Sequence, residues 1–256
     1  MGIFLVLAFL FFVGSVSGWV LELFFRRFFS KANPERKWIN PGFCTGPYVP
    51  LYGCGLCIMF LIASLEQYHL FPDAVWNKAI LFAIAAVLMT VIEYIAGIGC
   101  MKIAKVRLWD YSDEWKNIKG IICPKFSLIW ALLGAVYYFL IHPHILDALS
   151  WLSRNLAFSF VIGLFFGVFI IDVANSAQLV AKLKKFADDN DVIIRYENMK
   201  AHIRSVQDRT AQKSSFFHPF RSERPLNEHL KEMLENREIR RREKKREDKG
   251  GPFPHA

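Results

Sequence analysis

The sequence has no phosphate-cradling Gly-x-x-x-x-Gly-Lys-Ser/Thr loop, no Gly-x-Ser-x-Gly elbow and no His-Glu-x-x-His pair. P-loop nucleotide hydrolysis, serine-elbow hydrolysis and zinc-protease chemistry are therefore not expected of this chain. Cysteine is sparse: Cys44, Cys54, Cys57, Cys100 and Cys123 are the only five, and the topology argued below puts them in membrane or cytosolic positions, where disulfides do not persist. Cys54 and Cys57 form a Cys-x-x-Cys, but in an apolar stretch where small residues serve packing. Cys44, Cys100 and Cys123 lack metal-ligand spacing, and His142, His144 and Asp147, with Pro143 between the histidines, lack further ligands. No metal and no cofactor is expected. Also missing is a basic segment ahead of the first apolar run; Ser15, Ser17 and Gly18 resemble a cleavage region, but without that segment the run reads as a retained helix.

What is present is apolar length. The chain is 54% hydrophobic and still carries a net charge of +9, two properties that belong to different regions. Residues 1–180 are apolar runs with short polar loops, and residues 181–256 are dominated by Lys, Arg, Glu and Asp. The expected fold is all-α: a polytopic membrane helix bundle of five transmembrane helices, followed by a helical, partly disordered cytosolic tail. The spans are expected at Ile3 to Phe25, Tyr48 to Leu65, Ala79 to Met101, Ile121 to Ile141 and Leu156 to Val180. Positive charge alternates between the loops. Arg26, Arg27, Lys31, Arg36 and Lys37 follow the first span, and Lys102, Lys105, Arg107, Lys116 and Lys119 follow the third, against Lys78 and Arg154 alone in the other two loops. This places the protein in the cell membrane with the N-terminus outside and the C-terminus cytosolic.

Three acids lie within these apolar stretches, and the topology turns all of them toward the cytosolic half. A carboxylate in hydrocarbon costs about 3 kcal/mol on insertion scales, so it faces a cavity, a partner or an ion. Glu22 shares a helical face with Gly14, Ser15 and Gly18, sits about one turn from the cytosolic end, and has Arg26 four residues on. Gly14 and Gly18 by themselves read as a helix-packing stripe. Glu93 is deeper, with Gly97 on its face to allow close approach by a helix or a ligand. Asp172 has Asn175 and Ser176 three and four residues on, a polar stripe expected to face protein or water.

The first cytosolic loop runs Asn40, Pro41, Gly42, through Gly46, Pro47, Tyr48, Pro50 and Tyr52 to Gly53, and its prolines and glycines exclude a regular helix. Irregular backbone at membrane depth is tolerated only where protein buries it or it lines a cavity. A helix starting near Pro47 would direct free amides at an anion, or the segment is simply a tight turn. The second loop offers Trp109, Asp110, Tyr111, Ser112, Asn117 and Gly120. Its aromatics read as interface anchors, and Asp110, Ser112 and Asn117 have the chemistry to bond the first loop or a substrate.

Taken together, Gly18-Trp19-x-x-Glu22, Gly42-Phe43-x-x-Gly46-Pro47-Tyr48-x-Pro50-x-Tyr52-Gly53-x-Gly55, Glu93-Tyr94, Trp109-Asp110-Tyr111-Ser112, Asn117-x-x-Gly120, Trp130 and Asp172 resemble the CmpB-like membrane proteins. That family is described as ABC-transporter membrane proteins and has small vertebrate transmembrane relatives. The resemblance spans about residues 3–180 and omits the tail, with Cys44 and Ala131 departing from the pattern. It implies a permease component; without a nucleotide loop in this chain, a separate ATPase subunit would hydrolyse ATP. Five spans are few for a complete permease, which leaves a homo-oligomer in the bilayer open.

In the tail, a helix continues from the fifth span until Asp188, Asp189, Asn190 and Asp191 interrupt it, and a second stretch runs to about Gln212. Ser214 to Pro225 reads as a linker, and a last helix from Leu226 to about Glu247 keeps Leu226, Leu230, Met233 and Leu234 on one face before ending in disorder. Acids interleaved among the bases of residues 237–249 argue against anionic lipid there and against nucleic acid as a partner. Three functions are weighed. The leading one is a permease component with a cytosol-facing polar site between spans one, three and five, where Glu22, Glu93 and Asp172 bind a cation or carry protons. The others are a membrane enzyme using Glu93 or Asp172 as a base on a lipid-linked substrate, and a scaffold that presents its tail.

Overall fold

Where the chain has about 20 or more consecutive apolar residues it forms long helices, because only a helix satisfies its own backbone polar groups in hydrocarbon. In the computed structural model these are α1 (Ile3–Phe28), α2 (Pro50–Ser64), α3 (Ala74–Ala104), α4 (Pro124–Val136), α5 (His142–Arg154) and α6 (Phe158–Asp189). They give five segments long and apolar enough to cross a membrane: Ile3–Phe28, Pro50–Tyr68, Ala74–Ala104, Pro124–Leu152 and Phe158–Asp189. The protein is an all-α, multi-pass membrane protein. The structure describes residues 2–30, 33–155, 157–210, 216–218, 220 and 222–249, with backbone alone for Ser153 and residues 240–249. It divides into two units, Met1–Arg195 and Tyr196–Ala256.

Local chemistry sets the helix ends. α2 and α4 each open on a proline, Pro50 and Pro124, whose missing N–H is no loss in a first turn. Asp73 caps α3 by accepting from the amides of Val75 at 2.8 Å and Trp76 at 3.0 Å, so this helix starts earlier than the expected Ala79. α3 closes at Lys105, in the left-handed region at φ 55°.

The fourth span differs from expectation. The loop anticipated at residues 142–155 is helical: a π turn over Tyr137–Ile141 leads directly into α5. The His142 amide bonds the Tyr137 carbonyl, a five-residue step, and this wider turn relieves the clash that Pro143 would impose in a continuous α-helix. Tyr137 and His142 also bond through their side chains at 3.0 Å.

In the first unit, α1 and α2 approach most closely through small residues. A Cβ on Gly18 would overlap the Tyr52 ring, and one on Gly53 would overlap Ser15 Oγ, so the expected packing stripe seats α2. Val6, Leu10, Met59, Leu81, Ala85, Met89 and Trp130 form the core between α1, α2, α3 and α4. α6 joins at the edge through Phe11–Phe169 and Phe12–Phe165 ring contacts of 5.4 and 4.7 Å. At one end of the bundle, β1 (Val106–Arg107) pairs in parallel with β2 (Ile194–Arg195). The segment after α6 is thereby tied to the loop after α3.

α6 ends at Asp189 and Asp191 turns at φ 47°, where the acidic run was expected to interrupt it. In the second unit α7 (Tyr196–Arg209) buries Met199, Ile203 and Val206, and α8 (Leu226–Lys249) buries Leu230. Residues 214, 215, 219 and 221 of the expected linker and 250–256 of the expected disordered end lie outside the described residues.

Gly18→Ala should destabilise the bundle by about 1–3 kcal/mol, the usual effect of overpacking, whereas Gly99→Ala, with nothing within 4 Å of the added atom, should not. Thermal unfolding of both variants in detergent checks this. Equal melting temperatures would mean that α1 and α2 part without penalty.

Candidate functional site

The irregular first loop is organised by one carboxylate. Asp172, on α6, accepts the Thr45 amide at 3.1 Å, the Gly46 amide at 2.7 Å, the Tyr48 hydroxyl, and the hydroxyl of Ser176 from its own helix at 3.4 Å. The amides expected to face an anion thus meet one supplied by the chain itself, an arrangement that suits consecutive N–H groups in a turn. Asn40 completes the latch: its carbonyl accepts the Trp19 indole N–H at 2.7 Å and its amide donates to the Thr45 carbonyl at 2.9 Å. Gly42 supplies a positive φ of 87°, and the Val49 amide reaches the Ser15 carbonyl at 2.9 Å. The Tyr48 ring packs edge-on against Phe165 and Phe169. Asn175 is exposed and Pro47 lies at the surface; neither joins the latch. Sequence reasoning missed Thr45, which serves Asp172 through its backbone amide and its side chain.

The other two acids meet around Tyr52 and Tyr111. Glu22 accepts Arg26 Nε at 3.0 Å and the Tyr52 hydroxyl at 3.0 Å. Glu93 is 2% exposed; its Oε1 accepts the Tyr111 hydroxyl at 3.1 Å, and its Oε2 is buried with no hydrogen bond of good geometry, although the Trp130 indole lies beside it. Tyr52 stacks at a tilt on Trp130, with centroids 4.8 Å apart, and both Tyr52 and Tyr111 lie in the field of Glu22 and Glu93 together. Of the three acids read from the sequence, two share one cluster and Asp172 has a separate set of partners.

Residues 9–177, which contain all three acids and both loops, match the family described as "Putative ABC-transporter type IV", the CmpB family. The chain belongs to this family. Neither a curated protein nor a solved structure matches it.

The loop after α3 of this CmpB-family protein bonds chiefly to itself. Asp110 accepts Arg107 at 2.7 Å and the Ser112 amide at 3.1 Å, and it pairs with Arg195 at 3.2 Å. Asn117 donates to the Ser112 and Glu114 carbonyls at 3.0 and 2.9 Å and accepts the Gly120 amide at 2.9 Å. The Trp109 indole donates to the Ile121 carbonyl at 2.8 Å, and Gly97 leaves room for both Trp109 and Ile121 against α3. The Tyr111 ring, stacked on Phe126 at 4.2 Å, is thereby aimed with its hydroxyl at Glu93. Apart from the Asp110–Arg195 pair, Asp110, Ser112 and Asn117 bond within their own loop, which positions Tyr111. Burial pulls Asp110 upward, but the Ser112 hydroxyl and amide and the arginines outweigh it and hold its carboxyl below the usual carboxylate value.

Asp172→Asn removes the charge from at least three hydrogen bonds of the latch and should weaken it by about 2–4 kcal/mol. Amide hydrogen exchange at Thr45 and Gly46 should accelerate accordingly, and unchanged protection would mean that the loop holds itself. Because the folded carboxyl of Asp110 is depressed, its stabilisation is present above the unfolded value and is lost as pH falls through the folded one. Asp110→Asn should therefore lower the melting temperature at pH 7, with a difference that begins to shrink only below about pH 4 and vanishes below the depressed folded value, as read from detergent unfolding across a pH series.

Proposed function

We propose that this protein is the membrane-spanning component of an ABC-type transport system and that Glu93, with Glu22 beside it, holds a proton or a small cation during transport. The observation that carries the reading is Glu93 Oε2, buried between helices with no hydrogen bond of good geometry, the Trp130 indole lying beside it. Such an atom is costly in an apolar setting unless a proton or cation sits on it. Tyr52 and Tyr111 hold the two carboxyls within one cluster, and a tyrosine hydroxyl both donates and accepts. The asymmetric loop charge favours an N-terminus outside and a cytosolic tail, which sets the end of the bundle bearing residues 40–49 and 106–120 toward the cytosol. In that orientation Glu22 and Glu93 lie in the half of the bundle nearer the cytosol. The coupling ATPase is a separate subunit, since this chain has no nucleotide loop, and five spans favour an assembly of several copies. Asp172 and Ser176 serve as the latch on the first loop.

The test is reconstitution of the purified chain into vesicles holding a pH-sensitive or a sodium-sensitive dye, with flux driven by an imposed gradient. The wild type should conduct one of the two ions, Glu93→Gln should lose at least tenfold in flux, and Glu22→Gln should lose less, because Arg26 already pairs with it. Unchanged flux in folded Glu93→Gln, or no flux of either ion in the wild type, overturns the assignment.

A further inference from the structure

The second unit contains a cluster that the transport reading does not use. His202 on α7 and His229 and Glu232 on α8 bring their ligand atoms within 4.8 Å of one another. His229 is 1% exposed, and its Nε2 bonds Ser222 Oγ at 3.0 Å. In the tautomer whose Nε2–H donates to Ser222 Oγ, the Nδ1 lone pair is free, the way a neighbour orients a ligating imidazole. His229 Nδ1 and His202 Nε2 are both buried without a hydrogen-bond partner, and two such orphans side by side are uncommon in a folded interior. The carboxylate of Glu232 stands 3.7 Å from His202 Nε2, and the rings of the two histidines are 5.7 Å apart. Burial holds both imidazoles below the usual histidine range, with His202 adding to the effect at His229. Unprotonated rings are what a metal requires.

We propose that His202 Nε2, His229 Nδ1 and a Glu232 carboxylate oxygen bind a divalent transition-metal ion of the zinc class, which clamps α7 to α8. Two imidazoles and one carboxylate suit zinc and its neighbours rather than magnesium or calcium, which take oxygen ligands. Bond lengths of about 2.0–2.2 Å put the ligand atoms of a tetrahedral site about 3.3 Å apart. Closure from the present spacing needs shifts on the order of 1 Å, within the reach of side-chain rotation alone. Arg224 Nη1 lies 3.7 Å from Glu232 Oε2; it is half-exposed, so it can turn to solvent as the ion takes the carboxylate. No spacing pattern marks this site in the sequence, because its ligands sit on two helices separated by the linker and only Glu232 follows His229 at a helical step.

The proposal is independent of transport and is tested on the full-length chain in detergent after chelator treatment and dialysis. Calorimetric titration with zinc should show one equivalent bound, and cobalt should give the visible bands of a tetrahedral site. His202→Gln and Glu232→Gln should each weaken zinc binding at least tenfold and remove or shift the cobalt bands, while Glu228→Gln, one residue away on α8, should match the wild type. Zinc should also raise the melting temperature of the wild type and not that of His202→Gln. His229 is enclosed and its variant could fail to fold, so the partly exposed His202 and Glu232 carry the test, with helical content checked by circular dichroism. Absence of a one-equivalent site in the wild type, or equal affinity in folded His202→Gln, overturns the proposal.

Discussion

The bond between the Asp172 carboxylate and the backbone amides of Thr45 and Gly46 is the constraint on which the loop end of the bundle depends. The segment from Asn40 to Val49 has too many prolines and glycines to satisfy its own amides in a helix, and at membrane depth water is not available to do so. A charge-assisted hydrogen bond contributes about 1.5–3 kcal/mol, and the latch has several. It holds α6 against the rest of the bundle where the aromatic contacts of α6 with α1 are few, and through Asn40 and Trp19 it reaches α1 as well.

With the first loop held in this way, α2 starts at Pro50 and Tyr52 falls on its first turn, against Gly18 and Trp130. That placement puts the Tyr52 hydroxyl on Glu22. The second loop does the corresponding work from the other side: Arg107, Asp110, Asn117 and Gly120 close it on itself, and Tyr111 projects onto Glu93. Two irregular loops each deliver one phenol to one intramembrane acid, and the family match over residues 9–177 covers both devices.

Much of this was legible in sequence, and the limits are physical. The five spans read clearly because apolar length is a local property, yet the fourth ran past Ile141: Pro143 looks like a terminator until a π turn absorbs it. The three acids stood out because charge in hydrocarbon is costly wherever it occurs. Their division into a pair and a latch was not readable. Thr45 and Asp172 are 127 positions apart, and a backbone N–H is much the same donor whichever residue other than proline carries it. Asp110, Ser112 and Asn117 looked able to bond a substrate because polar side chains in a loop read alike whether they face a ligand or one another.

The sequence by itself determined that this is a five-span, all-α membrane protein with a charged helical tail, and which acids lie in its apolar stretches. Those properties follow from composition along short windows, where each residue adds its transfer energy independently. Only the tertiary structure decided that Asp172 is spent on the first loop, that Glu93 keeps one oxygen unpaired beside Tyr111 and Trp130, and that His202 and His229 face each other between α7 and α8. Each of those facts is a distance of a few ångströms between residues far apart in the chain, and such distances arise from packing, which no single window contains.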